Sequence, residues 1–255
     1  MNNGRIKRNF DALPNNPNPG LKVGWAKHHL DLLTAQIRDY LRINPYSISV
    51  EDDLEAGEHI VKLDTIPPSV EIPLIAGDFV SCLRGSLDHL ATALTLVEGG
   101  NPSDAASFPV IARNNSSGRK RFNEAVSGIT PGAIKTIESL QPYHSGDAFE
   151  STKLWRLHRL WNIDKHRRIP FQPTITQLFI LSPSNMPPLP GRPHDDGVLR
   201  FPLAAKGKLD LNPTVKITIQ FGDASEGIIA PYEELIEIHD FIRDDLFPRF
   251  KGFFK

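Results

Sequence analysis

Residues 76–97 read AGDFVSCLRGSLDHLATALTLV, and their apolar side chains recur every three or four positions. At 100° per residue they form one stripe, which consists of Phe79, Val80, Leu83, Leu87, Leu90, Leu94 and Val97. Gly99 and Gly100 follow the last of them, where glycine commonly ends a helix. The stretch therefore predicts a strong helix with one buried face.

The elements around this helix predict an α+β fold. Helical patterns cover 23–43, 130–140, 151–167 and 231–246, and strand-like runs cover 46–50, 59–63, 174–181, 198–204 and 215–221. The strands come in runs and do not alternate with the helices, which favours α+β over α/β. We expect a helical bundle-like core of about five helices, packed on a small, mainly antiparallel sheet.

Prolines and turn formers set the expected boundaries. Residues 1–21 are predicted to be a flexible N-terminal arm, and residues 22–255 a single α+β domain. The prolines of 66–73 predict an extended segment that cannot be helix interior. A mobile loop is expected at about 112–120, and a Pro-rich loop at 183–197.

Composition limits the function classes. The 255 residues carry a formal net charge of −1, so a nucleic-acid or membrane partner would have to bind a local patch. One cysteine, Cys82, allows neither an internal disulfide nor a cysteine-based zinc cluster, and it fits a cytoplasmic protein. No apolar run approaches the roughly 18 residues of a membrane span, so we expect no membrane partner.

Residues 154–167 read LWRLHRLWNIDKHR and place a carboxylate on an apolar helix face. Leu154, Leu157, Leu160 and Trp161 span that face, and Asp164 falls inside it. A carboxylate facing the core costs several kcal/mol unless it is paired. Asp164 is therefore expected to find a cation, with Arg84 the first candidate, or backbone donors, or the surface.

The outer face of the same helix is basic. It carries Lys153, Arg156, Arg159, Lys165, Arg167 and Arg168, with Trp155 among them. Cations interleaved with an aromatic ring can bind phosphate or stack on a base. The alternative is a solvated face whose charges balance acids elsewhere in the chain.

A second group of polar residues lies in LRGSLDHL, residues 83–90. Arg84 and Asp88 are four apart and can pair on one helix face. His89 points about 140° away from Arg84, so it must meet another helix or another subunit. No HxxxH or HExxH motif, phosphate loop or dinucleotide fingerprint is present, so we expect no metal and no cofactor.

Four segments together resemble an uncharacterised family of bacterial proteins. They are LRGSLDHLATAL, FPV, ESLQPYH and LWRLHRLWNIDKHRRI, and they cover roughly residues 76–170. The family shares an RxxLDHL helix, an FP(I/V) segment, a QPY segment and an NxDKHR helix. The resemblance brings no activity with it.

A looser resemblance is to HEPN domains, helical bundles of which many are metal-independent ribonucleases that work as dimers. Their signature is an arginine, four to six residues, and a histidine, which Arg84 with His89 and Arg159 with His166 both satisfy. The resemblance implies a homodimer in which histidine acts as acid or base and arginine stabilises the phosphorane. The residue after the arginine is usually polar in that family, whereas here it is Gly85 or Leu160. The strands would also be an addition to an all-helical fold.

The leading hypothesis places a polar site between helices 76–97 and 151–167 that binds a phosphate-bearing or RNA partner, with HEPN-like cleavage as its enzymatic form. The catalytic candidates are Arg84, His89 and His166, and the binding candidates are Asp88, Arg156, Arg159, Asp164, Lys165 and Arg167. The alternative is a non-catalytic protein in which Arg84, Asp88, Asp164, Lys165 and Arg167 form a buried ion-pair network. A small-molecule enzyme is disfavoured because no cofactor motif appears.

Overall fold

The structure is a computed structural model that describes residues 18–97, 99–100, 107–181, 198–202 and 212–254. The predicted Pro-rich loop and most of the predicted N-terminal arm lie outside the described residues. The end of that arm is helical, which corrects the expected boundary. Helix α1 (Pro19–Arg42) begins at Pro19, because Asn18 caps it by accepting a hydrogen bond from the backbone N–H of Leu21.

The central helix α2 (Glu71–Val97) packs along α1 and buries the predicted stripe as far as Leu94, whereas Val97 at its end is partly exposed. Leu83, Leu87 and Leu90 are fully buried on it. The helix begins five residues earlier than expected, so the prediction of an extended 66–73 segment is wrong for its last three residues. Pro73 lies in the first turn, where a backbone N–H would have no partner in the helix and its absence costs nothing.

Two short helices and a longer one follow α2. They are α3 (Ser116–Ala125), α4 (Pro131–Ser139) and α5 (Lys153–His166), with a 3₁₀-helix over Pro142–Ser151 before α5. The expected mobile loop at 112–120 is wrong from residue 116 onward. Asn115 caps α3 by accepting from the N–H of Gly118, and Gly118 is buried against the backbone of Arg113, where no Cβ would fit.

In the described part of the chain the strands form two antiparallel sheets of three strands each. Strands β1 (Tyr46–Asp53) and β2 (Glu58–Thr65) make the predicted hairpin, and β4 (Val198–Pro202) pairs with β2. The second sheet has β5 (Asn212–Asp223) in the middle, flanked by β3 (Phe171–Leu181) and β6 (Ile228–Pro231). Strand β6 was not predicted.

The α+β fold with a helical core and antiparallel strands is confirmed. The last helix, α6 (Tyr232–Asp240), continues as a π-helix to Leu246 and a 3₁₀-helix to Phe254. The fully buried side chains Leu157, Phe221 and Phe250 place α5, the second sheet and the C-terminal segment around one core with α2. None of the helices in the described part of the chain is long and apolar enough to cross a membrane.

Candidate functional site

Helix α5 packs against α2, and the two helices are antiparallel. Asp164 meets Gly77 and Ser81 near the start of α2, whereas Trp161 meets Arg84 one turn further on. Four residues of α5 are buried, namely Leu154, Leu157, Leu160 and Ile163. The predicted inner face of α5 is therefore correct, with Trp161 half-buried at its margin.

Asp164 is held by a hydroxyl and not by a cation. Ser81 Oγ donates to Asp164 Oδ2 at 3.0 Å, and the carboxylate lies directly over Gly77. Burial raises the pKa of Asp164, the Ser81 hydrogen bond opposes that rise, and the nearby charge of Asp78 adds to it. The predicted pair with Arg84 is wrong, because Arg84 lies further along α2 and binds other partners.

Arg84 and Asp88 hold the backbone of Phe108. Arg84 Nη1 lies 2.6 Å from Asp88 Oδ1, and Arg84 Nη2 donates to the carbonyl oxygen of Phe108 at 2.8 Å. The same Asp88 oxygen accepts from the N–H of Phe108 at 2.9 Å. Arg84 is only 5% exposed, so the predicted pair exists as a buried structural clamp.

Gln141 completes this clamp on the other side of the 108–111 segment. Its Nε2 donates to the carbonyl oxygens of Pro109 and Ile137, and its Oε1 accepts from the N–H of Ile111, each at 3.0 Å. The N–H of Tyr143 donates to the carbonyl oxygen of Ile111. Residues of the RxxLDHL, FP(I/V) and QPY segments thus contact one another, and these contacts stabilise the fold.

His89 lies on a different side of α2 from Arg84. Burial lowers the pKa of His89, and so does the charge of Lys22 on α1, while Asp88 raises it. The imidazole is therefore close to α1, whereas Arg84 contacts Trp161 on α5. One molecule does not bring Arg84 and His89 to a common atom.

Ion pairs neutralise much of the predicted basic face of α5. Lys153 pairs with Glu237 of α6, and Arg156 forms a bidentate pair with Glu234 while also donating to the carbonyl oxygen of Ile229. Arg167 lies 3.1 Å from Asp223 of β5. Arg156 and Arg167 thus connect α5 to α6 and to the second sheet. The binding role predicted for Arg156 is disfavoured, because its side chain is only 18% exposed.

Two arginines of the outer surface approach one imidazole. His158 of α5 is largely buried, and burial together with the charges of Arg84, Arg159 and Arg121 lowers its pKa to about 4. The amide of Asn162 lies 3.1 Å from His158 Nε2. His158 is therefore neutral near pH 7, and it lies where cations of α2, α3 and α5 meet.

His158 also belongs to a row of rings along α5. Trp155, His158 and Trp161 follow one another at ring-centroid distances of 5.9 Å, and Phe149 lies 5.3 Å from Trp155. The ammonium of Lys165 lies 5.2 Å from the centroid of Trp161, and the guanidinium of Arg84 lies 5.3 Å from it. Lys165 and His166 are both exposed at the end of the helix.

Several buried nitrogens of this region lack a hydrogen-bond partner within the described part of the chain. They are Nε of Arg84, Nδ1 of His158 and Nδ1 of His89.

The sequence did not indicate His158 as a site residue, because on the helical wheel it lies only at the edge of the apolar face. It missed Arg121 because the segment around it resembles a loop. No group of metal-ligating side chains occurs among the described residues.

Comparison with protein-family models, with curated proteins and with solved structures gives no match. The two family resemblances therefore stay predictions. Any function has to be inferred from the geometry of the site itself.

Proposed function

We propose that this protein binds a phosphate-bearing partner, with RNA the leading candidate, on a surface that α3 and α5 share. We call it the α3–α5 surface and define it by Arg121, Arg159 and Lys165 around the rings of His158 and Trp161. The observation that carries the proposal is the row of rings formed by His158 and Trp161, 5.9 Å apart, with the ammonium of Lys165 5.2 Å from the Trp161 ring. Arg121 and Arg159, from two different helices, lie near enough to this row for their charges to lower the pKa of His158. Cations grouped beside aromatic rings are typical of surfaces that bind nucleic-acid backbones.

The chain has a net charge of −1, so this positive surface is a local feature. Acidic residues also lie on other elements, for example Asp53 and Glu55 at the turn of the β1–β2 hairpin. A local group of cations can steer a polyanion toward the α3–α5 surface even when the net charge of the chain is close to zero. Arg84 is not one of the proposed phosphate-binding residues. Its contacts with Asp88 and Phe108 favour a structural role as part of a buried ion pair.

A salt titration with variants tests the proposal. Binding of a fluorescent single-stranded RNA should weaken by about 10- to 20-fold between roughly 50 and 200 mM salt if three phosphates are neutralised. Arg121→Glu should weaken binding by about 10-fold and flatten the salt dependence by about one contact. Arg38→Glu, which reverses the charge of an exposed arginine on α1, is the matched control. Equal effects of the two reversals, or no binding at low salt, would contradict the proposal.

Metal-independent RNA cleavage of the HEPN-like kind is the second candidate function. Arg159 and His166 are seven residues apart on α5, so they share one helix face two turns apart, and His166 is exposed. Arg84 and His89 do not have this arrangement. The proposed cleavage uses His166 as acid or base and Arg159 as the charge stabiliser, with a homodimer supplying two copies of each.

Incubation with RNA in the presence of a chelator tests this second function. His166→Ala should abolish cleavage and leave Tm unchanged, because the side chain is exposed. His28→Ala, an exposed histidine on α1, should cut like the native protein. Intact RNA after incubation with the native protein, or equal cutting by His166→Ala, would refute the enzymatic form and leave the binding function standing.

A further inference from the structure

The aromatic rings of α5 offer stacking surfaces, which phosphate binding alone does not require. Trp155, His158 and Trp161 lie three residues apart and form a row with 5.9 Å between neighbouring centroids. All three residues are partly exposed, His158 the least, since its ring nitrogen Nδ1 is buried. A row of partly exposed aromatic residues beside arginines provides π-faces for flat ligands as well as charge for anions.

Trp161 has a cation over it that a ligand can replace. Both Arg84 and Lys165 lie over its ring, but Arg84 is 5% exposed and fixed by Asp88, whereas Lys165 is exposed. An exposed cation–π contact makes the state with the cation on the ring only about 2- to 5-fold more populated than the state with the cation in solvent. Stacking of a nucleic-acid base is worth about 5- to 100-fold in affinity. A base can therefore displace the Lys165 ammonium from the indole, while the buried guanidinium stays.

We infer that the partner of the α3–α5 surface is a single-stranded nucleic acid, one of whose unpaired bases stacks on Trp161 in the place of Lys165. This inference rests on the proposed function. Once displaced, the ammonium of Lys165 stays tethered at the end of α5, within reach of a phosphate that adjoins the stacked base. Arg121 and Arg159 contact the backbone further along. A duplex, whose bases are stacked internally, gains only the charge contacts.

A comparison of ligands on the native protein tests the inference directly. The probes are single-stranded oligo(U), oligo(dT) and an abasic deoxyribose-phosphate oligomer, each of about 12 units, and a duplex of equal length. We expect oligo(U) or oligo(dT) to bind at least about 5-fold more tightly than the abasic oligomer, with similar salt dependence. The RNA and DNA arms identify which nucleic acid is preferred.

Equal affinity for the abasic and base-bearing oligomers would overturn the inference and leave phosphate binding in place. No binding of any oligomer at low salt would overturn both. A duplex that binds as tightly as oligo(U) would also count against stacking on Trp161.

Variants of Trp161 locate the stacked base. Trp161→Leu should weaken oligo(U) binding by about 5- to 100-fold and leave binding of the abasic oligomer unchanged, whereas Trp161→Phe should recover most of the loss. Trp25→Leu, which removes an indole that is 58% exposed on α1, is the matched control. If Trp161→Leu fails to fold, the Phe variant and the abasic comparison still decide. A uniform loss for all ligands would assign Trp161 a merely structural role.

Discussion

Gly77 and Asp164 are packed so closely that a Cβ on the glycine would lie 2.9 Å from the carboxylate carbon and overlap one of its oxygens. This contact sets the distance between α2 and α5 where both helices approach the site. It also explains why glycine occupies the first half of a strongly helical stretch, where alanine would otherwise be favoured by about 1 kcal/mol.

Gly77→Ala should therefore destabilise the protein by about 1–3 kcal/mol, because the new methyl group forces the helices or the carboxylate apart. Gly24→Ala on α1 is the control, since a methyl group there would meet no atom within 4 Å, and it should stabilise by about 0.5–1 kcal/mol. Urea unfolding of both variants measures the difference. Gly77→Ala combined with Asp164→Ala should lose most of the penalty, and a penalty that persists there would mean that Asp164 is not its source.

Asp164→Asn should change the pH dependence of stability. The raised pKa of Asp164 means that the native state holds its proton more tightly than the unfolded state. Stability is therefore highest below the ordinary pKa of the carboxyl and falls as pH rises through the raised native value. The neutral side chain of the Asp164→Asn variant does not titrate and still accepts a hydrogen bond from Ser81, so this fall in stability should disappear. Above the pH at which the native carboxyl ionises, the variant should therefore be more stable than the native protein. Thermal unfolding from pH 3 to 7 measures it, and identical profiles would contradict the assignment.

Asp88→Ala should cost about 3 kcal/mol, because it leaves the buried Arg84 guanidinium without its carboxylate and the N–H of Phe108 without its acceptor. Asp31→Ala removes an acid from a pair with the same four-residue spacing, Lys27 and Asp31, that is exposed. It should cost less than about 1 kcal/mol. Chemical denaturation of both variants compares them, and similar small losses would show that the clamp is not a buried ion pair.

His158 should make the native protein sensitive to mild acid. Its pKa of about 4 lies below the ordinary 6.5, so the unfolded state binds its proton first as pH falls. Stability that is fully present above pH 6.5 should decline toward pH 4, by on the order of 3 kcal/mol from this group. His158→Gln should flatten that part of the profile. NMR titration of the imidazole provides a direct reading, and a midpoint near 6.5 would contradict the structure.

The helices that sequence reasoning located best are those with long, uninterrupted apolar periods. For α2 and the inner face of α5 the pattern alone identified most of the large buried side chains, although Val97 and Trp161 are partly exposed. Many side chains there repeat the same geometric signal. The start of α2 was missed because proline usually breaks a helix, although the first-turn position of Pro73 makes it harmless.

The contacts of the site were harder to predict, since they depend on how distant segments cross. The spacing of Arg84 and Asp88 predicted their pair, but nothing local indicated that Phe108, twenty residues later, would lie between their polar groups. The two asparagines, two serines and glycine of residues 114–118 resemble a loop, so α3 was missed, and with it the approach of Arg121 to His158.

The side-chain clamp on residues 108–111 performs the task that adjacent strands usually perform, since it satisfies the backbone from both sides without a ladder. A ladder tolerates almost any side chain, because its bonds are made by the backbone. This clamp depends on the identity of Arg84, Asp88 and Gln141, so one substitution undoes part of it. In related chains we expect these three positions to be inherited together, and to be replaced together where the segment adopts another path.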